Sequence, residues 1–157
     1  MRRRHLRPGS EGQALTEVAL VAPLFFLMLF GIIDLGRVIW ANDVVANAAR
    51  EGARFASVHA GTPALTTEAS KDDIREHALG FVIGGGVDPS VTVCFSAVHV
   101  ASGSHGCSGD VDEASAGYAK GNLVTVVVHS DVPLITGALL GFGTFAVSGE
   151  STVLVNN

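Results

Sequence analysis

The spacing of apolar positions changes character along this chain, and each change marks an element. Positions 14–33 are apolar apart from Thr16 and Glu17, with Pro23 the only residue unfriendly to a helix. The uninterrupted apolar stretch, 18–33, stops at Asp34 and spans roughly 24 Å as a helix at about 1.5 Å per residue. A hydrocarbon core is slightly thicker, at about 30 Å. Adding 14–17 makes up the length and leaves the Glu17 carboxylate near the membrane edge. This predicts a transmembrane helix over 13–35. From 36 to 58 no proline occurs, and Val38, Ala41, Val45, Ala48, Gly52 and Phe55 recur at alternating spacings of three and four. That is one face of a helix. Arg37, Asn42, Asp43, Asn47, Arg50, Glu51 and Arg54 fall largely elsewhere, so the span is expected to continue as an amphipathic stalk over 36–60. Its apolar face is narrow and made of small residues, and Gly61-Thr62-Pro63 ends it.

A second helix is expected over 67–82. Thr67 is its cap, and Glu68, Asp72 and Asp73 suit a helix N-terminal half. Ile74, Ala78, Leu79 and Phe81/Val82 would form the buried side, and Gly84-Gly85-Gly86 the stop. Thereafter the period drops to two. Val91, Val93, Phe95 and Ala97 alternate with Thr92, Cys94 and Ser96, as in a half-buried strand, and the phase slips at Val98-His99-Val100. A Gly/Ser/Asp-rich loop covers 101–121. The near-continuous valine run of 123–129 predicts a central strand, broken by Asp131-Val132-Pro133. An apolar, glycine-punctuated connection at 134–142 leads to a final strand over 145–155. The expected fold class is therefore α+β: a long N-terminal transmembrane and stalk helix, a second short helix, and a small antiparallel sheet of about three to four strands.

Charge adds direction. Four arginines and a histidine lie in the first seven residues, directly before the apolar run, while Arg37 is the only cation close behind it. That asymmetry predicts a cytoplasmic N-terminus. Residues 1–12 then form a cytoplasmic leader and 61–157 an extracytoplasmic domain, on a single-pass protein of the plasma (inner) membrane. At 48% hydrophobic, 16% charged and a formal net charge of −5, the chain is too apolar for a disordered protein. Its one basic cluster could read as a nucleic-acid arm, but its place directly before the apolar run makes it a topology signal, and no nucleic-acid partner is expected. The two cysteines, Cys94 and Cys107, show neither Cys-x-x-Cys nor zinc spacing. Such a pair can be structural, redox-active or incidental. If the C-terminal half lies outside the cytoplasm, a disulfide is the better reading, and closing that loop would contribute about 3 kcal/mol.

Catalytic signals are weak throughout. His59, His77, His99, His105 and His129 are scattered, without a His-Glu-x-x-His helix or a triad setting. Gly103-Ser104-His105-Gly106 lies in a loop rather than at a strand-to-helix elbow. Gly141-Phe142-Gly143 is a dinucleotide fragment without its strand–helix context, and Gly84–Gly86 lacks the Lys-Ser/Thr of a phosphate loop. The expectation is no enzyme, no metal, no cofactor and no small-molecule substrate.

The sharpest local signal is Gly12, then Gln13-Ala14-Leu15-Thr16-Glu17, at the junction of basic leader and apolar helix. This arrangement resembles the recognition site of type IV prepilins, in which a membrane-embedded aspartyl peptidase cuts after the glycine and the apolar segment stays on the product. Glycine offers a protease a backbone with no side chain in the way. A charged group at a bilayer centre costs on the order of 2.5–3.5 kcal/mol, so Glu17 near the lipid boundary is either a candidate functional position or simply the point where water begins, and Gly12, the leader and the apolar run together favour the first. In pilins its implied partner is the amine released by the cut, on the same or a neighbouring subunit. Residues 11–20, 29–37 (Leu29-Phe30-Gly31-Ile32-Ile33-Asp34-Leu35-Gly36-Arg37) and 47–56 (Asn47-Ala48-Ala49-Arg50-Glu51-Gly52-Ala53-Arg54-Phe55-Ala56) are similar to TadE-like proteins. The order of a Val-rich strand, Asp131-Val132-Pro133-Leu134 and a closing strand is similar too.

That resemblance implies a minor pseudopilin of tight-adherence (Flp-type) pilus biogenesis. Its processing site is Gly12, Gln13 and Glu17, and its partners are the prepilin peptidase, other minor pseudopilins with the assembly machinery, and membrane lipid. The small-residue face of 47–56 suggests Val45, Ala48, Gly52 and Phe55 as a subunit-packing surface. Gln13 where major pilins carry an aromatic or Met, and the early stop at Asp34, point away from a major filament subunit. Two other readings stay open. One is an uncleaved single-span protein whose outer domain binds a partner. The other is a secreted domain released near Ala46-Asn47-Ala48, although that site lies far beyond the apolar core and inside an expected helix.

Overall fold

The computed structural model describes residues 10–59, 68–82, 88–96, 121–141 and 143–155. Transmembrane segment and stalk are one helix, α1 (Ser10–His59), 50 residues with Pro23 inside and roughly 75 Å long at about 1.5 Å per residue. No break falls at 35–36, because Gly36 is the only poor helix former there and one glycine costs a helix only about 1 kcal/mol. The N-terminal part of α1 is bare: Leu15, Leu20, Leu24, Phe25, Met28 and Ile32 are all exposed. The C-terminal part is the spine of a small head. The head contains α2 (Glu68–Leu79), β1 (Asp88–Ser96), β2 (Leu123–Pro133), α3 (Ile135–Leu140) and β3 (Thr144–Leu154).

The sheet is an antiparallel meander in the order β1-β2-β3. Directly opposed residues share a face in such a sheet, so the register shows which row meets the helix. Phe95, Val124 and Val153 form one cross-strand row, Val93, Val126 and Ser151 the next, and Val91, Val128 and Gly149 the third. This face closes over Ala41, Val45, Ala48, Ala49, Ala53 and Ala56 of α1, all fully buried, while α2 adds Ile74 and Ala78. The valine run is central, as its uninterrupted apolar character predicts, and the fold class is the expected α+β.

Several boundaries differ for physical reasons. Asp131-Val132-Pro133 does not break β2. The strand runs through it, Val132 is buried, and Pro133 is the last paired residue, opposite Thr144; proline is tolerated at a strand end. The connection at 134–142 contains α3. Helix α2 ends at Leu79 rather than at 82, where Gly80 donates to the Glu76 carbonyl and Phe81 to that of Ala78 in a tightening turn. Leu79 is therefore exposed, whereas Lys71 is buried with its ammonium 5.8 Å from the Phe95 ring centroid, a distance at which a cation is attracted to an aromatic face. Thr67, Gly84–Gly86 and the 97–120 region lie outside the described residues.

The inward row of β2 contains one polar residue, Ser130, fully buried, with no hydrogen-bond partner for its Oγ among the described residues. An unpaired buried hydroxyl forfeits its bonds to water. Ser130→Ala is expected to raise the stability of the head by about 1 kcal/mol, read as a higher urea midpoint with an unchanged slope; a lower midpoint would reveal a bond to that hydroxyl.

Candidate functional site

Asp34 is the one acid between Glu17 and Asp43. Its neighbours Ile33 and Leu35 are exposed, yet Asp34 is only 4% exposed. The cause lies far along the chain. Leu134, in extended conformation, is the N-cap residue of α3 and supplies no capping side chain. The first amides of a helix need acceptors, and Asp34 provides them from 101 positions away. Its Oδ1 accepts from the Ile135 amide at 2.9 Å, and its Oδ2 from the Thr136 amide at 2.7 Å and the Thr136 hydroxyl at 2.6 Å. Arg37, one turn further on α1, donates to the Pro133 carbonyl at 2.8 Å and lies 3.6 Å from Asp34. The pair Asp34 and Arg37 thus grips both sides of the Pro133–Thr136 corner. A charged acceptor facing helix amides forms short, strong hydrogen bonds. The site is a clamp that fixes the end of the sheet to the helix where the apolar span gives way to the head.

The clamp was missed in the sequence, where Asp34 reads only as the end of the membrane segment. Two signals pointed to it: a lone carboxylate within an apolar helix, and the segment Ile135-Thr136-Gly137-Ala138-Leu139-Leu140, which has helical composition but no capping side chain ahead of it.

The residues singled out from sequence fall into separate places. Gly12, Gln13 and Glu17 lie on the exposed first turns of α1. The helix begins at Ser10, so Gly12 is helical rather than extended, and the Thr16 hydroxyl bonds back to its carbonyl at 2.7 Å. A peptidase acting there would have to unwind the terminal turns, where fraying is easiest. Val45, Ala48 and Gly52, expected from the sequence as a packing surface, lie inside the head. They are buried against the chain's own sheet and α2, and only Phe55 is partly open. The small side chains serve close approach inside the head: a Cβ on Gly52 would come 3.0 Å from the Ala78 Cβ and 3.2 Å from a Val126 methyl. Phe55 belongs to a ring stack, 4.1 Å from His59 and 4.3 Å from His77, with Phe81 edge-on to His77 at 5.3 Å. His129 is exposed, 3.8 Å from the Asp131 carboxylate. Cys94 is buried and disulfide-bonded; Cys107, His99 and His105 lie outside the described residues.

These features define a class of protein: one long helix, apolar enough in its N-terminal part to cross a membrane, which continues unbroken into the core of a small α+β head clamped at its base. Within it, residues 12–54 match the family model described as TadE-like protein, the family that the N-terminal third resembles. This TadE-like segment lies wholly within α1 and sets the chain in the context of Tad/Flp pilus systems. It begins at Gly12 and includes both Asp34 and Arg37. No curated protein and no solved structure matches the chain.

Proposed function

We propose that this chain is a minor pseudopilin of a tight-adherence pilus assembly or secretion system, acting as a structural subunit rather than an enzyme. It is inserted once in the plasma membrane with its N-terminus cytoplasmic, is cut by a prepilin peptidase after Gly12, and works with other minor pseudopilins and the assembly machinery. The observation that carries this reading is the single helix that joins a Gly12…Glu17 start, a lipid-compatible span and the core of the head. A processed pseudopilin needs this construction, because the cut must leave anchor and head on one rod. Glu17, exposed on the helix beside the new terminus, is placed to pair with the amine that cleavage would release. The bonded Cys94 suits a head outside the cytoplasm.

A secreted-domain reading fits less well. Release near Ala49 would remove Ala41, Val45 and Ala48 from the packed core.

The test is N-terminal sequencing and intact mass of the membrane-extracted protein, with and without its prepilin peptidase. A peptidase-dependent start at Gln13, abolished by Gly12→Val, is the expected result. An intact Met1 in the presence of the peptidase would mean a plain single-span anchor, and a start near Ala49 a secreted domain; either refutes the proposal.

A further inference from the structure

The base of the head carries an apolar surface that its own core does not use. No charged residue occurs between Asp131 and Glu150. This uncharged stretch contains α3, whose Ile135, Leu139 and Leu140 are 43%, 73% and 52% exposed, and Phe145, 50% exposed at the start of β3. Phe145 pairs with Val132, which brings it to the same end of the sheet as α3. Leucines so exposed on a charge-free segment are unusual for a water-facing surface.

The clamp fixes where this surface lies along the rod. Ile135 and Thr136 hang from Asp34 through their amides. Asp34 lies roughly 26 Å beyond Glu17 at about 1.5 Å per residue. With Glu17 at one edge of a hydrocarbon layer of about 30 Å, Asp34 falls within a helical turn of the other edge. The exposed α1 residues beyond it, Leu35 and Ile39, continue the lipid-compatible surface upward. Exposed Trp40 follows, at the depth where aromatic side chains anchor to headgroups.

We infer that α3 is a second membrane contact: Ile135, Leu139 and Leu140 insert into the outer interfacial layer of the bilayer beside α1, and the Asp34 clamp sets their depth. The occupant of this apolar surface is lipid, because the surface is continuous with the spanning helix and stands at the level where the helix leaves the hydrocarbon. A short apolar helix can bury its leucines there with its uncharged flanks in the headgroup zone. At this depth the Asp34 carboxylate is compensated by the first α3 amides, the Thr136 hydroxyl and the neighbouring Arg37. The inference rests on the membrane-anchored reading of α1, and the experiment separates the two.

The full chain with Trp40→Phe, which removes its single tryptophan, is reconstituted in phosphatidylcholine/phosphatidylglycerol vesicles containing a mixture of lipid brominated near the headgroup end and lipid brominated near the methyl end of the acyl chain. Single tryptophans are placed by Leu139→Trp in α3, by Phe26→Trp in the span and by Thr92→Trp on the outer face of the sheet. The expected result is that bromine lowers the Leu139→Trp emission by about half, also quenches Phe26→Trp, and leaves Thr92→Trp unchanged. Quenching of Phe26→Trp with none at Leu139→Trp overturns the α3 contact and leaves the anchor intact. Shielding of Leu139→Trp from aqueous iodide that appears only at high protein density, without bromine quenching, makes the occupant a second copy and also overturns it. Absence of quenching at Phe26→Trp sinks the anchor and the α3 contact together.

Discussion

Gly149→Val is expected to unseat the sheet from the helix. A Cβ at Gly149 would lie 2.6 Å from the Ala46 Cα and amide nitrogen and from the Val45 carbonyl oxygen. These are backbone atoms of α1, so no rotamer change can relieve the overlap. Either β3 must lift or the register with Val128 must shift, and a shift by one residue would turn Val147 and Val153 outward. Overpacking in cores costs about 1–3 kcal/mol, and more where neither side can move. A loss of about 3 kcal/mol or more is therefore expected, against a typical total of about 5–15 kcal/mol for a domain. Pulse proteolysis of the full chain in urea measures it, with Gly149→Ala giving a smaller fall of the same sign. An unchanged midpoint for Gly149→Val would mean that helix and strand do not approach this closely.

Asp34→Asn is expected to release the base of the head while leaving its core folded. The amide conserves shape but replaces one acceptor oxygen with a donor. Oδ2 receives both the Thr136 amide and the Thr136 hydroxyl, and Oδ1 the Ile135 amide, so either rotamer of asparagine confronts at least one amide with another N–H. Arg37 loses its carboxylate neighbour and keeps only the Pro133 carbonyl. Hydrogen exchange at Ile135 and Thr136 should quicken at least about tenfold, as local opening replaces clamped structure. Val126 and Val128, in the centre of the sheet, should keep their protection. A uniform loss across β2 would show that Asp34 supports the whole head, and unchanged exchange at Thr136 would show that the clamp does not hold α3. Thr136→Val, which removes only the hydroxyl donor, should give an intermediate rate.

How much of this was legible in the sequence depends on the kind of interaction. The helix, the central valine strand and the strand character of 91–97 and 145–155 follow from periodicity, a property of neighbouring residues. The TadE-like segment was legible because it too is local. The face of small residues at 45–56 falls on one side of a helix, as its spacing predicts, but the spacing does not show that the chain's own sheet packs there. Alanine and glycine permit close approach without naming what approaches, and the chain's own sheet arrives from beyond residue 120. The clamp was hidden for the same reason. Asp34 and Thr136 are each unremarkable alone, and their chemistry exists only once β2 has brought Pro133 back to the helix. The helical start at Ser10, two residues before Gly12, reflects a helix that propagates outward from a strongly apolar segment into residues that would not nucleate one themselves.

The unbroken course of α1 also has a mechanical consequence. From Asp34 to His59 the helix runs roughly 38 Å at about 1.5 Å per residue without a proline or a loop. With α1 set in a bilayer as proposed, the helix beyond Asp34 and the head would move as a single lever with its fulcrum at the bilayer surface. Transmembrane helices commonly tilt by about 20°, and a swing of that size would carry the far tip of the head sideways by about 13 Å. A push or pull applied at the level of Asp34 would then reach the tip as displacement rather than as a change of shape.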